Sequence, residues 1–227
     1  MLQQPTWALK PNEEEPLKKR GDLHLARRFY HVLGLLVILV IFHNVDRVAA
    51  LRMLALAIAI IVPLDFFRLR AEPLNRLLMG AFRPFLRDSE EKSLTGMTYL
   101  LCGVFLTIAL FPREIATLSL FMLAFGDPSA SLVGVRWGRD KLIGSKSLQG
   151  TLASFVVCTI VAAIFFFSRE IMLPRLALAS VLAGLIGAIA ELFPFGKLDD
   201  NFSFPLLSAS LLWVLFFVLG GFAGPSL

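Results

Sequence analysis

The chain has 227 residues, of which 57% are hydrophobic and 17% charged, and a soluble domain of this size needs far more polar surface than that. A formal net charge of +5 points to anionic headgroups. No basic patch with interleaved aromatic residues stands apart from the apolar runs, which argues against nucleic acid as a partner.

Residues 1–26 carry Glu13, Glu14, Glu15, Lys18, Lys19 and Arg20. They lack the apolar stretch of a signal peptide and read as a polar cytosolic tail. A short chain without a targeting peptide fits a bacterial inner membrane. Residues 27–227 then form one transmembrane domain. Seven apolar runs follow, at about 29–43, 48–64, 95–111, 115–135, 151–167, 175–193 and 205–222. A helix needs about 20 apolar residues to cross a bilayer. The first two runs are short of that and extend into their flanks or sit where the bilayer thins. The expected fold is therefore all-α and polytopic, with about seven transmembrane helices.

The basic residues set the orientation. With the N-terminus inside, every Lys and Arg lies on the inner side except Arg47, Arg52, Arg113, Arg169 and Arg175, which is a strong positive-inside bias. The outer loops (about 44–47, 112–114 and 168–174) are short, while the inner segments 65–94, 136–150 and 194–204 are long and polar. Chemistry is therefore expected at the cytosolic face. Within the first long inner segment, Leu74, Leu77, Leu78, Ala81, Phe82 and Phe85 recur near helical spacing, with Arg76, Arg83 and Arg87 between them. This predicts an interfacial amphipathic helix over 73–87, with Pro73 in its first turn. Cys102 and Cys158 lie in apolar runs and read as small buried residues.

Three stretches carry candidate chemistry. The fourth apolar run contains Gly126-Asp127-Pro128-Ser129-Ala130-Ser131. An acid inside a span is costly and by default functional. Gly126, an Asp127 N-cap and Pro128 predict a break in the helix, with a new half-helix from Pro128 whose free N–H groups suit phosphate. The following loop has Gly134, Gly138, Lys141, Lys146, Ser147 and Gly150, glycines and lysines that let a backbone and positive charge approach phosphate. The last inner segment has Glu191 inside an apolar run, then Asp199-Asp200-Asn201 and Pro205. The adjacent acids and amide are hard oxygen ligands suited to magnesium, and Pro205 suits a helix start.

In order along the chain, these pieces are Arg27-Arg28-x-x-His31-x-x-Gly34, Asp65-x-x-Arg68, Arg87-x-x-Glu90 with Thr98-Tyr99, Gly126-Asp127-x-x-Ala130-Ser131-x-x-Gly134-x-x-x-Gly138, Lys146-Ser147-x-x-Gly150, Glu191, and Asp199-Asp200-Asn201-x-x-x-Pro205. Jointly they resemble the CTP-dependent lipid-alcohol kinases: dolichol kinase, phytol kinase and the fungal CTP-dependent diacylglycerol kinase. The likeness runs from about Arg27 to Pro205. Two positions depart from the family pattern: His24 stands where many relatives have an acid, and Gln149 where some have Glu.

The resemblance implies transfer of the γ-phosphate of CTP to the hydroxyl of a membrane lipid alcohol (a polyprenol, a phytol-like alcohol or diacylglycerol) with magnesium as cofactor. It implies Asp127, Asp199, Asp200 and Asn201 as ligands of magnesium and the nucleotide. Gly126, Ser129, Ser131, Gly134, Lys146, Ser147, Gly150 and Arg87 would surround the phosphates. Either Asp127 or Glu191 would take the hydroxyl proton. Arg28, His31, Asp65, Arg68 and Glu90 are further candidates. The rival readings are an enzyme like CTP:phosphatidate cytidylyltransferase, which transfers CMP, and an anion-binding membrane transporter.

Overall fold

A computed structural model describes residues 25–82, 88–193 and 198–222. Eight α-helices make up this part of the chain: α1 (Leu25–Asn44), α2 (Arg47–Arg68), α3 (Glu72–Phe82), α4 (Gly96–Leu110), α5 (Arg113–Trp137), α6 (Leu148–Ser168), α7 (Leu176–Leu192) and α8 (Asp200–Leu219). Six of them are long and apolar enough to cross a membrane. The seventh expected span, α4, has 15 residues, or about 22 Å at helical rise, shorter than the hydrocarbon core of about 30 Å. The short first and second runs lengthen into 20 and 22 helical residues by taking in their flanks.

α5 runs through the middle of the bundle and packs against α1, α4, α6, α7 and α8. Its outward neighbours present apolar residues to the surroundings. On α6, for example, Leu152, Val156, Ile160 and Ile164 recur every fourth residue and are all exposed, which is the lipid-facing stripe of an integral membrane protein. Close approach within the bundle depends on small residues. A Cβ on Gly103 would meet the backbone of Asn201 and Phe202 at 2.7 and 2.9 Å, where α4 crosses α8.

The sequence predicts a break at Gly126-Asp127-Pro128, but α5 continues through all three residues to Trp137. Pro128 withholds one backbone donor, and the Ser129 hydroxyl donates to the Gly126 carbonyl at 2.7 Å. Gly126 serves packing: a Cβ there would lie 2.6 Å from Cys158 Sγ on α6. The tight α5–α6 contact overrides the local preference for a break, so no half-helix N-terminus faces a ligand at Pro128. Pro205 likewise lies inside α8, whose N-cap is Asp199. The amphipathic helix is present as α3 over Glu72–Phe82 and has no buried residue. Its expected last turn, 83–87, lies outside the described residues.

The helix ends split into two groups. At one end lie the start of α1, the ends of α2, α5 and α7, and the starts of α4, α6 and α8. At the opposite end, Arg113 donates to the carbonyls of Phe42, His43 and Val45, and Arg47 donates to the Ala109 carbonyl. The Arg113 guanidinium also lies over the Phe42 ring, 4.7 Å from its centroid. These arginines satisfy carbonyls that helix termini leave open and tie α1 and α2 to α4 and α5.

Candidate active site

Asp127, Glu191 and Asp200 converge from α5, α7 and α8. One carboxylate oxygen from each lies within 4.8 Å of the other two. Glu191 is buried, while Asp127 and Asp200 are half-buried. Into this group reaches Lys146, whose Nζ donates to Glu191 Oε1 and Asp200 Oδ2, each at 2.7 Å. Three carboxylates against one ammonium leave an excess of negative charge. The second oxygen of Glu191, Oε2, is buried without a hydrogen-bond partner among the described residues. Such an oxygen is expensive unless something fills its lone pair, and the group could hold a divalent cation.

Local structure aims each group. Lys146 sits on the second strand of a two-stranded antiparallel hairpin, β1 (Lys141–Ile143) and β2 (Lys146–Ser147). The hairpin reverses at Gly144, whose φ of +56° suits glycine. Ser147 then caps α6 by accepting from Gly150 N at 3.2 Å. Burial pulls the Lys146 ammonium down, but Glu191 and Asp200 together raise it by more, so it lies above the ordinary lysine value. Lys146 therefore stays a cation at any physiological pH.

Several expected site residues take other roles. A Cβ on Gly134 would approach the Ser147 hydroxyl at 3.1 Å, and one on Gly150 would meet the Ala130 carbonyl at 2.7 Å. These glycines, with Gly126 and Gly138, let α5, α6 and the buried Ser147 pack closely. On the side where a Cβ would sit, their space is filled by protein. The triad Asp199-Asp200-Asn201 is also divided. Only Asp200 joins the carboxylates; Asp199 accepts from Asn201 N at 3.0 Å as the cap of α8, and the Asn201 amide donates to the Gly96 carbonyl at 3.2 Å. Arg87 lies outside the described residues.

Arg28 enters from α1. Its Nη2 donates to Ser131 Oγ at 2.9 Å, its Nη1 is buried without a hydrogen-bond partner among the described residues, and it lies within electrostatic reach of Asp127. A second constellation stands beside the first. Buried Asp65 accepts from Arg68 Nε at 2.6 Å, Thr95 N at 2.8 Å and Thr98 Oγ1 at 2.6 Å. Arg68 also donates to Asn75 Oδ1 and the Ser93 carbonyl. This network fixes the start of α4 against the end of α2 and against α3, and it leaves Asp65 fully engaged. Glu90 accepts from Gly96 N at 3.2 Å and faces Arg27 at 3.5 Å. Arg27 opens the first motif of the sequence but is not among its candidate site residues. The signal was there, because Arg27, His31 and Gly34 share the 4-and-3 spacing of one helix face.

The chain is 33% identical over 164 residues to the CTP-dependent diacylglycerol kinase 1 of Schizosaccharomyces pombe, covering 66% of this chain and 74% of that protein. It is 30% identical over 200 residues to the enzyme of the same name from Eremothecium gossypii, covering 80% of this chain and 63% of the relative. With the phytol kinase of Synechocystis it shares 36% identity over 123 residues, about half of each chain. No family model matches the chain, and no solved structure matches it.

Proposed function

We propose a reaction for this chain, which belongs to the family of CTP-dependent lipid-alcohol kinases: it transfers the γ-phosphate of CTP to the hydroxyl of a membrane lipid alcohol at the cytosolic face, with Mg2+ held by Asp127, Glu191 and Asp200. The observation that carries the residue assignment is the convergence of these three carboxylates around Lys146. The fit to magnesium rests on the hard oxygen donors and on the buried Glu191 Oε2, which has no hydrogen-bond partner among the described residues. When bound, the ion would neutralise phosphate charge.

In the proposed step the lipid oxygen bonds to the γ-phosphorus as the bond from that phosphorus to the β-bridging oxygen breaks, which yields a lipid phosphate and CDP. The hydroxyl proton passes to Asp127 or Glu191. Lys146 swings from the carboxylates to phosphate oxygens when the nucleotide arrives. Arg28, with a buried N–H unused among the described residues and Ser131 orienting it, supplies a second positive charge. Placement at the cytosolic face is supported by the basic residues that crowd this end of the bundle.

The test uses purified protein in detergent with Mg2+, mixed lipid alcohols and CTP labelled at the α or the γ position. Label reaching lipid from γ-CTP alone is the expected result. Label from α-CTP alone would replace this reading with cytidylyl transfer.

A further inference from the structure

Two helices each place neighbouring residues in two different surroundings. On α8, Asp200 joins the carboxylate centre while Asn201 lines a separate cavity. On α1, Arg28 turns to Ser131 and Asp127 while Arg27 lines that same cavity. The polar end of the cavity is therefore one residue from the centre on both helices, a backbone step of about 3.8 Å.

The cavity lies between α1, α2, α3 and α4 and has a volume of about 350 Å³, within the range of about 300–1,000 Å³ usual for small-molecule sites. Its walls are apolar, with Ile38, Ile61, Leu64, Leu78, Met97 and Leu100 among them. Its polar groups gather where Arg27, Glu90 and Asn201 meet around Gly96. α3, which buries none of its own side chains, forms the outer wall. This is an amphipathic container: hydrocarbon fits the wall, and a hydroxyl or ester fits the polar end. A nucleotide triphosphate does not suit it, because most of the lining is apolar and Arg68, its most buried cation, is already held by Asp65, Asn75 and the Ser93 carbonyl.

We infer that this cavity is the acceptor site, holding the head and first chain segment of a lipid alcohol with its hydroxyl at the Arg27–Asn201 end. The inference rests on the kinase reading above and adds the place where the acceptor binds. Gly34 gives a direct handle. It lines the cavity on the same face of α1 as Arg27 and His31, and a Cβ added there meets no atom within 4 Å. The first carbon of a side chain at this position therefore displaces no protein, and a larger side chain is directed at the space the acceptor would use.

The experiment compares wild type with Gly34→Phe and the smaller Gly34→Leu, each first checked for an unchanged thermal midpoint in detergent. A diazirine-bearing long-chain alcohol is photolysed with each protein, and the labelled residues are mapped. Turnover is measured against lipid and against CTP. We expect label at Met97 and Leu100 that Gly34→Phe removes, and a kcat/KM for the lipid lowered about tenfold or more, with the KM for CTP unchanged. If wild type phosphorylates lipid while both variants match it in lipid kinetics and labelling, the cavity is not the acceptor site. If the KM for CTP rises instead, the cavity belongs to the nucleotide and the inference is overturned. If the label maps to the cavity but wild type phosphorylates no lipid, the site stands and the kinase reading falls. Should Gly34→Phe fail to fold, Gly34→Leu carries the same comparison.

Discussion

Replacing Lys146 by Met separates two properties that usually fall together. Lys146 donates charge-assisted hydrogen bonds to Glu191 and Asp200, both at 2.7 Å. A cation that takes those oxygens must displace the ammonium. Charge-assisted hydrogen bonds contribute about 1.5–3 kcal/mol each. Losing the equivalent of one of them as a competitor favours cation binding by about 10- to 150-fold, at about 1.4 kcal/mol per tenfold. Lys146→Met should therefore bind Mn2+ or Mg2+ at least about tenfold more tightly than wild type, yet lose turnover by about 10³-fold because phosphate has lost its lysine. Without metal, Glu191 and Asp200 lose the ammonium that both accept from, and only Arg28, near Asp127, is left as a counter-charge. Breaking a buried pair costs about 3–5 kcal/mol, so the thermal midpoint should fall and then recover on adding the cation. Titration of Mn2+ by electron paramagnetic resonance, with thermal unfolding in detergent, reads both effects. Weaker cation binding in Lys146→Met would refute the assignment, because it would mean that the carboxylates do not form the cation site.

Further outcomes follow from the same geometry. Asp127→Asn keeps the volume of a half-buried side chain while removing one anionic ligand; turnover should fall by about 10³-fold or more with the thermal midpoint within a few degrees of wild type, and near-normal turnover would remove Asp127 from the site. Gly126→Ala should destabilise the bundle by about 1–2 kcal/mol through the 2.6 Å approach to Cys158 Sγ; Cys158→Ala should cancel most of that cost, so a double-mutant cycle read by thermal unfolding should be clearly non-additive. Asp65→Ala strands the guanidinium of Arg68, which is 2% exposed, and should cost about 3–5 kcal/mol; hydrogen exchange should quicken first at Thr95–Thr98, and unchanged exchange there would show that Asp65 does not fix the start of α4.

Much of the architecture is legible in the sequence because the bilayer demands it. Runs of apolar residues near 20 in length have few alternatives to a helix, and all seven expected runs are helical. Asp127 and Glu191 also stand out, since an acid within such a run needs a partner or a purpose. Their meeting with Lys146 and Asp200 does not stand out. Lys146 and Glu191 are 45 positions apart, and only the packing of α5, α6, α7 and α8 brings the four residues together. The break expected at Pro128 fails for a related reason. Gly-Asp-Pro is a sound local signal for a helix start, but Gly126 is needed for contact with α6, and that contact holds α5 straight. The neighbours Asp199, Asp200 and Asn201 look alike as oxygen ligands. The first turn of a helix separates them by about 100° per residue, so one caps, one joins the carboxylates and one faces the cavity.

The arginines at the far end have a mechanical consequence. Arg113 and Arg47 tie the outer termini of α1, α2, α4 and α5 together, whereas at the opposite termini Lys146 and Arg28 are, on the proposed reading, links that the reactants take over. On that reading the helices would pivot about the tied end, with displacement growing toward the chemistry. A bulky acceptor can then enter sideways from the bilayer by a small spreading of α1 from α4 at the open end. Amide exchange should accordingly run faster in the first turn of α1 than in its last.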